Sequence, residues 1–328
     1  MSAESGSFSW GVAATGTIAE QVGAIISRQP GMSIAAVGSR DLSRAGSLAS
    51  KLGAPSAYGS YAELVGDPAV QAVYVATPHA QHRSVAELAI AAGKAVLCEK
   101  PLTASLAETD ALVAQARAAK VFLMEGMWMW FNPLIQKARS IIDSGALGEV
   151  RTIEATFGFP QPYDPAHRLW DPQRGGGALL DLGIYPVALA YLLLGEPTST
   201  TVTGTLSAND LDAHAELYMT WPNGAEADLR TSLTQWLPMR GRIVCSAGEV
   251  VIAPPFHAAT RITVLRDGRK EQHLIDSSDA AFVAQADEVR DRVLQGHTES
   301  ATVPLEASLA LMRILEDARR AIGACAFV

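Results

Sequence analysis

Between residues 10 and 126, short apolar runs alternate with longer stretches of helical periodicity. No other feature limits the fold as much. The runs are Trp10 to Ala14, "MSIAAVG", "AVQAVYVAT", "AVLCEKP" and "VFLMEG". Between them lie "TGTIAEQVGAIISRQPG", "DLSRAGSLASKLG", "QHRSVAELAIAAG" and "SLAETDALVAQARAAK". The second of these carries an expected cap at Asp41 and a stop at Gly53. Strand and helix in units of this size predict a doubly wound parallel sheet. Right-handed crossovers then bring the strand C-termini to one edge, where ligands bind.

After "MEGMWMWFNP" the pattern changes. "EVRTIEATFGF" alternates as a strand, and "GGGALLDLGIYPVALAYLLLG" reads as a long apolar helix. From Thr198 to about Ile275 short alternating runs are punctuated by Pro222-Asn223-Gly224, Gly248 and Asp267-Gly268. Two helices, about 279–295 and 304–323, close the chain. The expectation is a Rossmann domain over 1–125 and a second α/β domain over 126–328. The second carries a largely antiparallel open sheet with helices on one face. "TSTTVTGTL" and "AHAELYMTW" carry apolar side chains that one helical layer cannot cover on both faces. That predicts a homodimer through the helix-free face.

Composition removes several function classes. The chain has 328 residues, is 48% hydrophobic and 18% charged, and has a net charge of −8. No basic run interleaved with aromatics offsets that charge, which argues against a nucleic-acid binder. Cys98, Cys245 and Cys325 are widely spaced and match no zinc spacing, and the seven His and the acids form no metal-ligand cluster. The opening "MSAESGSFSW" lacks the features of a secretory signal, and stretches such as "PVALAYLLLG" are too short to span a bilayer. A cytoplasmic protein with no membrane partner is expected.

The first strand–helix turn, "AATGTIA", matches the dinucleotide pattern G-x-G-x-x-G/A except that Ala14 stands where the first glycine belongs. Gly16 is kept, so a backbone can approach a pyrophosphate there, with Thr15, Thr17 and Ile18 around it at a helix N-terminus. An NAD site usually has an acid about 20 residues further on, for the ribose hydroxyls. Here "AVGSRD" offers Ser39 and Arg40 instead, and a guanidinium suits a 2′-phosphate. NADP is the expected cofactor, against the plainer reading of Arg40 as a solvated side chain with Asp41 as a cap.

Glu99-Lys100-Pro101 ends the fourth core strand, because proline cannot continue a ladder. Lys100 therefore stands at the ligand edge of the sheet. In "LLDLGIYP", Asp181 and Tyr185 are four residues apart on one helix face in an otherwise apolar segment. They are either a satisfied core pair or a proton-transfer pair facing a cleft between the domains.

Glu99-Lys100-Pro101, "ATPHAQH", "MEGMW" and "GGGALLDLGIYP" together resemble the glucose–fructose oxidoreductase / inositol dehydrogenase (Gfo/Idh/MocA) family. The resemblance spans essentially the whole chain and is strongest to the dihydrodiol dehydrogenase and NADP-dependent D-xylose 1-dehydrogenase branch. It implies that Lys100 is the catalytic lysine, Tyr185 the general acid/base, and Asp181 the acid that binds substrate hydroxyls or positions the pair. It implies that Ser39 and Arg40 grip the 2′-phosphate. Thr77, Pro78, His79 and His82 would lie along the nicotinamide riboside, with Glu99 and Lys100 beside it. For His79 and His82 the plainer reading is ordinary helix-entry hydrogen bonding. Two departures stand out: Ala14 for glycine, and Trp130 where relatives often have Arg. The implied activity moves a hydride between NADP and a sugar such as D-xylose, or a trans-dihydrodiol. Trp128, Phe157, Phe159, Trp170 and Phe256 are candidate pocket aromatics or core. The rival is a non-catalytic NADP-binding redox sensor of the same fold.

Overall fold

The computed structural model describes residues 7–325. Residues 1–6, part of the segment read as lacking a secretory signal, lie outside them. The chain forms two compact units. One runs to Met127 and adds Phe282–Ser308; the other comprises Trp128–Ala281 and the residues from Leu309. A single cut after residue 125 thus becomes three crossings, and part of the expected second domain returns to the first unit.

The first unit opens with β1 (Phe8–Ala13), α1 (Thr17–Ser27), β2 (Met32–Gly38), α2 (Leu42–Leu52), β3 (Ser56–Tyr58) and α3 (Tyr61–Gly66). It continues through β4 (Ala72–Val75), α4 (His82–Ala91), β5 (Ala95–Glu99), α5 (Leu106–Ala119) and β6 (Leu123–Gly126). All its strand pairs are parallel, in the order β3-β2-β1-β4-β5-β6. Every residue of β4, β5 and β6 is buried, which is the signature of a sheet covered on both faces. The strand order reverses between β1 and β4, and a doubly wound sheet binds ligands at that switch point.

The second unit begins with α6 (Pro133–Asp143), whose N-terminus is capped by Asn132 and started by a proline. β7 (Val150–Gly158) follows, then a π turn over Leu179–Gly183 that runs into α7 (Ile184–Leu194). Seven strands complete its sheet: β8 (Ser199–Leu206), β9 (Asp212–Thr220), β10 (Glu226–Ser232), β11 (Gly241–Cys245), β12 (Gly248–Ile252), β13 (Arg261–Arg266) and β14 (Arg269–Leu274). Their order is β14-β13-β12-β11-β7-β10-β9-β8, and only the β7/β10 pair is parallel. α8 (Asp279–Leu294) and α9 (Leu305–Ala321) end the chain. The stretch Phe282–Ser308, from α8 to the first turn of α9, is part of the first unit. Leu123 donates its N–H to the Thr298 carbonyl at 3.2 Å, and Arg117 pairs with Glu299 and Glu306 at 2.9 Å each.

One expectation needs correction, and one strand offered for another points its apolar side chains inward. The apolar stretch expected to be too short for a bilayer continues a helical run over Pro172–Leu194, long and apolar enough to cross one. Its most apolar window is 78% buried inside the fold, so it is a core helix. The homodimer expectation rested on apolar side chains on both sheet faces. In β9 the apolar set, Ala213, Ala215, Leu217 and Met219, points inward. His214, Glu216 and Tyr218 alternate outward, beside Asp228 and Arg230 of β10, which pair at 2.8 Å. On β9 and the neighbouring part of β10 the outward side chains are mainly polar, so β9 carries no apolar surplus on that side.

Candidate active site

In the first unit the turn after β1 is built for a close backbone approach. Ala14 takes φ +119°, a region that L side chains rarely adopt, at the position where the dinucleotide pattern has glycine. The strain is about 1 kcal/mol, which glycine would not carry. Ala14→Gly is therefore expected to raise the unit's melting midpoint by about 2–4 °C. An unchanged or lower midpoint would show Ala14 to be relaxed. Gly16 is different: its φ of −79° suits any residue, and a Cβ built there meets nothing within 4 Å. Its value is the open space in front of the α1 N-terminus, where no side chain caps the first N–H groups. Thr15, Thr17 and Ile18 all keep some exposure around it. These groups fit a pyrophosphate.

At the end of β2, Ser39 is buried and Arg40 exposed. The acid next in sequence is engaged otherwise. Asp41 accepts the N–H groups of Ser43 (2.8 Å) and Arg44 (3.2 Å) and the Ser43 hydroxyl (2.8 Å), as the cap of α2. Those bonds, the Ser43 hydroxyl foremost, hold its carboxyl below the usual range. Arg44, one turn into α2, was not singled out from sequence. Neither Arg40 nor Arg44 makes an ion pair among the described residues, and both face Tyr61.

After β4, the Thr77 hydroxyl is buried and has no hydrogen-bond partner among the described residues. An orphaned polar atom there fits a ligand group. Pro78 leads into His79, which is buried and meets the His82 ring edge-on at 5.5 Å. The His82 ring is fully enclosed, with its nitrogens 2.8 Å from the Thr77 and Pro101 carbonyls. It ties the β4 loop to the β5 loop, and neither ring nitrogen is left for a ligand. Burial pushes its pKa down to about 4, against those carbonyls. At the end of β5, Glu99 is buried and accepts the Tyr74 hydroxyl at 2.5 Å. Burial raises its carboxyl, while Tyr74 and the Lys100 ammonium act the other way. Glu125 on β6 is likewise buried and raised, accepts the Leu102 N–H at 3.0 Å, and also feels Lys100. Lys100 is thus half-buried among two carboxyls on adjacent strands. Glu125 was visible in "MEGMW" as an acid in an apolar run, although no role had been attached to it.

In the second unit the π turn carries Asp181 and α7 carries Tyr185. Single π turns are frequent at functional sites, because the extra residue reorients the side chains beside it. The turn is tied down by Asp212, which accepts the Leu179 N–H at 2.5 Å. Gly177, at φ +110°, passes so close that a Cβ there would collide with the Asp212 carboxylate. Asp181 is buried and gripped in bidentate fashion by Arg168, at 3.0 and 3.3 Å. Burial opposes the Arg168 charge; Asp181, and then Tyr185, more than offset it. Arg168 lies in the loop before the π turn and was not expected.

Tyr185 sits in an aromatic cage. The Trp128 indole N–H donates to its oxygen at 2.9 Å, with the rings edge-to-face. Phe157 lies 5.7 Å away, and His257 4.9 Å away while stacked on Phe157 at 4.3 Å. Sequence reasoning missed His257, although it neighbours Phe256. Of the expected pocket aromatics, Trp128 and Phe157 touch Tyr185, and Phe159 packs on Phe157. Phe256 is fully buried against His257, and Trp170 is buried in its own loop, donating to the Pro162 carbonyl. These two are core. So is Trp130, which stacks on Tyr191 and donates to the Ala188 carbonyl.

Comparison with known proteins agrees with this architecture. Residues 8–127 match an oxidoreductase family with an NAD-binding Rossmann fold, and residues 135–251 match the GFO/IDH/MocA C-terminal domain. The chain is 36% identical over 324 residues to the trans-1,2-dihydrobenzene-1,2-diol dehydrogenase of Mus musculus, covering 96% of each. It is 35% identical over 325 residues to the Homo sapiens enzyme of that name, again covering 96% of each. Among solved structures, the aldose-aldose oxidoreductase of Caulobacter crescentus superposes with a TM-score of 0.87 at 26% identity, over 96% of this chain and 97% of that one. A 3-ketoreductase of Actinomadura kijaniata, solved with NADP and TDP-benzene, gives 0.84 at 25%, over 96% and 98%. The chain belongs to the Gfo/Idh/MocA family of oxidoreductases, as a dehydrogenase with a dinucleotide-binding Rossmann unit and that family's C-terminal domain.

Proposed function

We propose that this enzyme is an NADP-dependent dehydrogenase of a trans-dihydrodiol or a D-xylose-like aldose, with Tyr185 as acid/base and Lys100 as its cationic partner. The observation that carries the reading is the caged Tyr185, one turn after Asp181, with its oxygen already held by a donor. When bound, NADP supplies the hydride acceptor. Tyr185 takes the proton from the substrate hydroxyl as the carbinol carbon gives up its hydride. The Lys100 ammonium favours the phenolate and steadies negative charge developing on the substrate oxygen. Asp181, held by the Arg168 guanidinium, accepts a second hydroxyl. Phe157, His257 and Trp128 offer ring faces and edges to a cyclic substrate. Dihydrodiols and aldoses share the required features, a ring and adjacent hydroxyls, and relatives are named for each. A cytoplasmic setting fits the three free cysteines.

Arg40, with Arg44 beside it, would grip the 2′-phosphate, while Asp41 is engaged as a cap and leaves the NAD ribose without its acid. The test is steady-state NADPH formation over a panel of aldoses, inositols and trans-dihydrodiols, with NADP and NAD compared. NADP is expected to be preferred. Arg40→Ala is expected to weaken NADP about 10- to 100-fold more than NAD, since a charge-assisted contact contributes about 1.5–3 kcal/mol. Equal kcat/KM for both cofactors would overturn the NADP assignment. Cofactor binding with no turnover on any substrate would favour the sensor reading.

A further inference from the structure

We propose that Trp128 is a positioning residue for proton transfer, an inference that rests on reading Tyr185 as the acid/base. Indole N–H groups donate and never accept. The 2.9 Å bond therefore makes the Tyr185 oxygen an acceptor on that side and turns the phenol's own hydrogen away from Trp128. A bond to phenolate is stronger than one to phenol, because the acceptor is then charged. Trp128 thus favours the form of Tyr185 that can take a proton. Both residues are buried, at 8% and 6% exposure, so water competes little for the bond. Packing alone would not require this residue type; a phenylalanine would fill much of the same space without donating.

Other groups also face the phenol from within its unit. His257 reaches it from the short helical turn Phe256–Ala258, and Phe157 from β7. Asp181 precedes it by one turn on the same helical run and is held by Arg168. His257, Asp181 and Arg168 are the titratable or charged members. Trp128 also meets the His257 ring edge-on at 5.9 Å, so the Trp128 variants are repeated in a His257→Gln background. A shift of the pH profile that persists there reports the missing N–H, and one that vanishes there overturns the proposal.

The experiment compares kcat/KM for alcohol oxidation against pH in the parent, Trp128→Phe, Trp128→Gln and Tyr185→Phe. Circular dichroism and NADPH fluorescence titration first confirm folding and cofactor binding. Trp128→Phe keeps a ring without the donor, and its basic limb is expected to move up by roughly one to two pH units. Trp128→Gln keeps a donor without the ring and is expected to recover part of that shift. A limb that stays in place in Trp128→Phe overturns the proposal, whatever happens to KM, as does a Gln limb displaced as far as the Phe limb. Should Trp128→Phe not fold, fluorinated tryptophan in the full chain strengthens the donor at nearly constant shape. The limb should then move down, and an unmoved limb overturns the proposal. The underlying reading fails separately, by a Tyr185→Phe enzyme that turns over within a few-fold of the parent.

Discussion

Tyr185→Phe is expected to fold, to bind NADPH like the parent, and to turn over about two to four orders of magnitude more slowly, the range for losing general acid–base catalysis. The substitution removes one oxygen and keeps the ring that Phe157 and His257 pack against. It also strands the Trp128 N–H, which the phenol oxygen accepts in the parent. A buried donor left unpaired costs about 1–3 kcal/mol, so a somewhat lower melting point should accompany the lost rate. Lys100→Ala is expected to do comparable damage by a different route. On the proposed role of the ammonium, its loss disfavours the phenolate, so the rise of oxidation rate with pH is expected to move to higher pH. The two losses should not add in the double variant, because both residues serve one transition state. The pH dependence of kcat/KM in all three variants is the measurement. Full additivity would mean that Lys100 and Tyr185 act in separate steps.

Most of the first unit could be read in advance, because its strands are buried on both faces and appear as continuous apolar runs with helices between. The candidate residues carried on such local patterns were equally visible: Gly16 in its turn, Lys100 before a proline, and Asp181 and Tyr185 at helical spacing. What stayed hidden is joined over long sequence distances. Arg168 is an ordinary loop arginine until the chain folds it onto Asp181. His257 is seventy-two residues from Tyr185 in the sequence, and no periodicity links a 3₁₀ turn after β12 to a helix before β8. The return of Phe282–Ser308 to the first unit was hidden for a related reason: helical periodicity says which side of a helix is buried, not what buries it. Ala14 shows the opposite case. Its departure from the glycine pattern was legible, but only the backbone angle reveals that alanine there adopts the conformation glycine would.

Asp212→Ala is expected to destabilise the second unit by about 3–5 kcal/mol, the cost of breaking a buried ion pair by removing one partner. Asp212 is fully buried and Arg319 is 4% exposed, and the Arg319 Nε donates to Asp212 at 3.2 Å. Burial raises the Asp212 carboxyl, while Arg319 and the Leu179 N–H act to keep it ionised. Alanine would leave the guanidinium without its carboxylate in the core and the π turn without the acceptor for its first N–H. The melting midpoint of that unit should fall by roughly 6–20 °C. Replacing both partners by apolar residues, Asp212→Leu with Arg319→Met, should be less harmful than Asp212→Ala alone, because no charge is then stranded. The chemistry should separate the two roles of Asp212. The apolar pair restores the core but not the bond to Leu179, so kcat should stay low while dinucleotide affinity, expected of the Rossmann unit, holds. Parent-like kcat in the apolar pair would mean that packing alone sets the π turn, and that the bond from Asp212 to Leu179 has no part in aiming Asp181 and Tyr185.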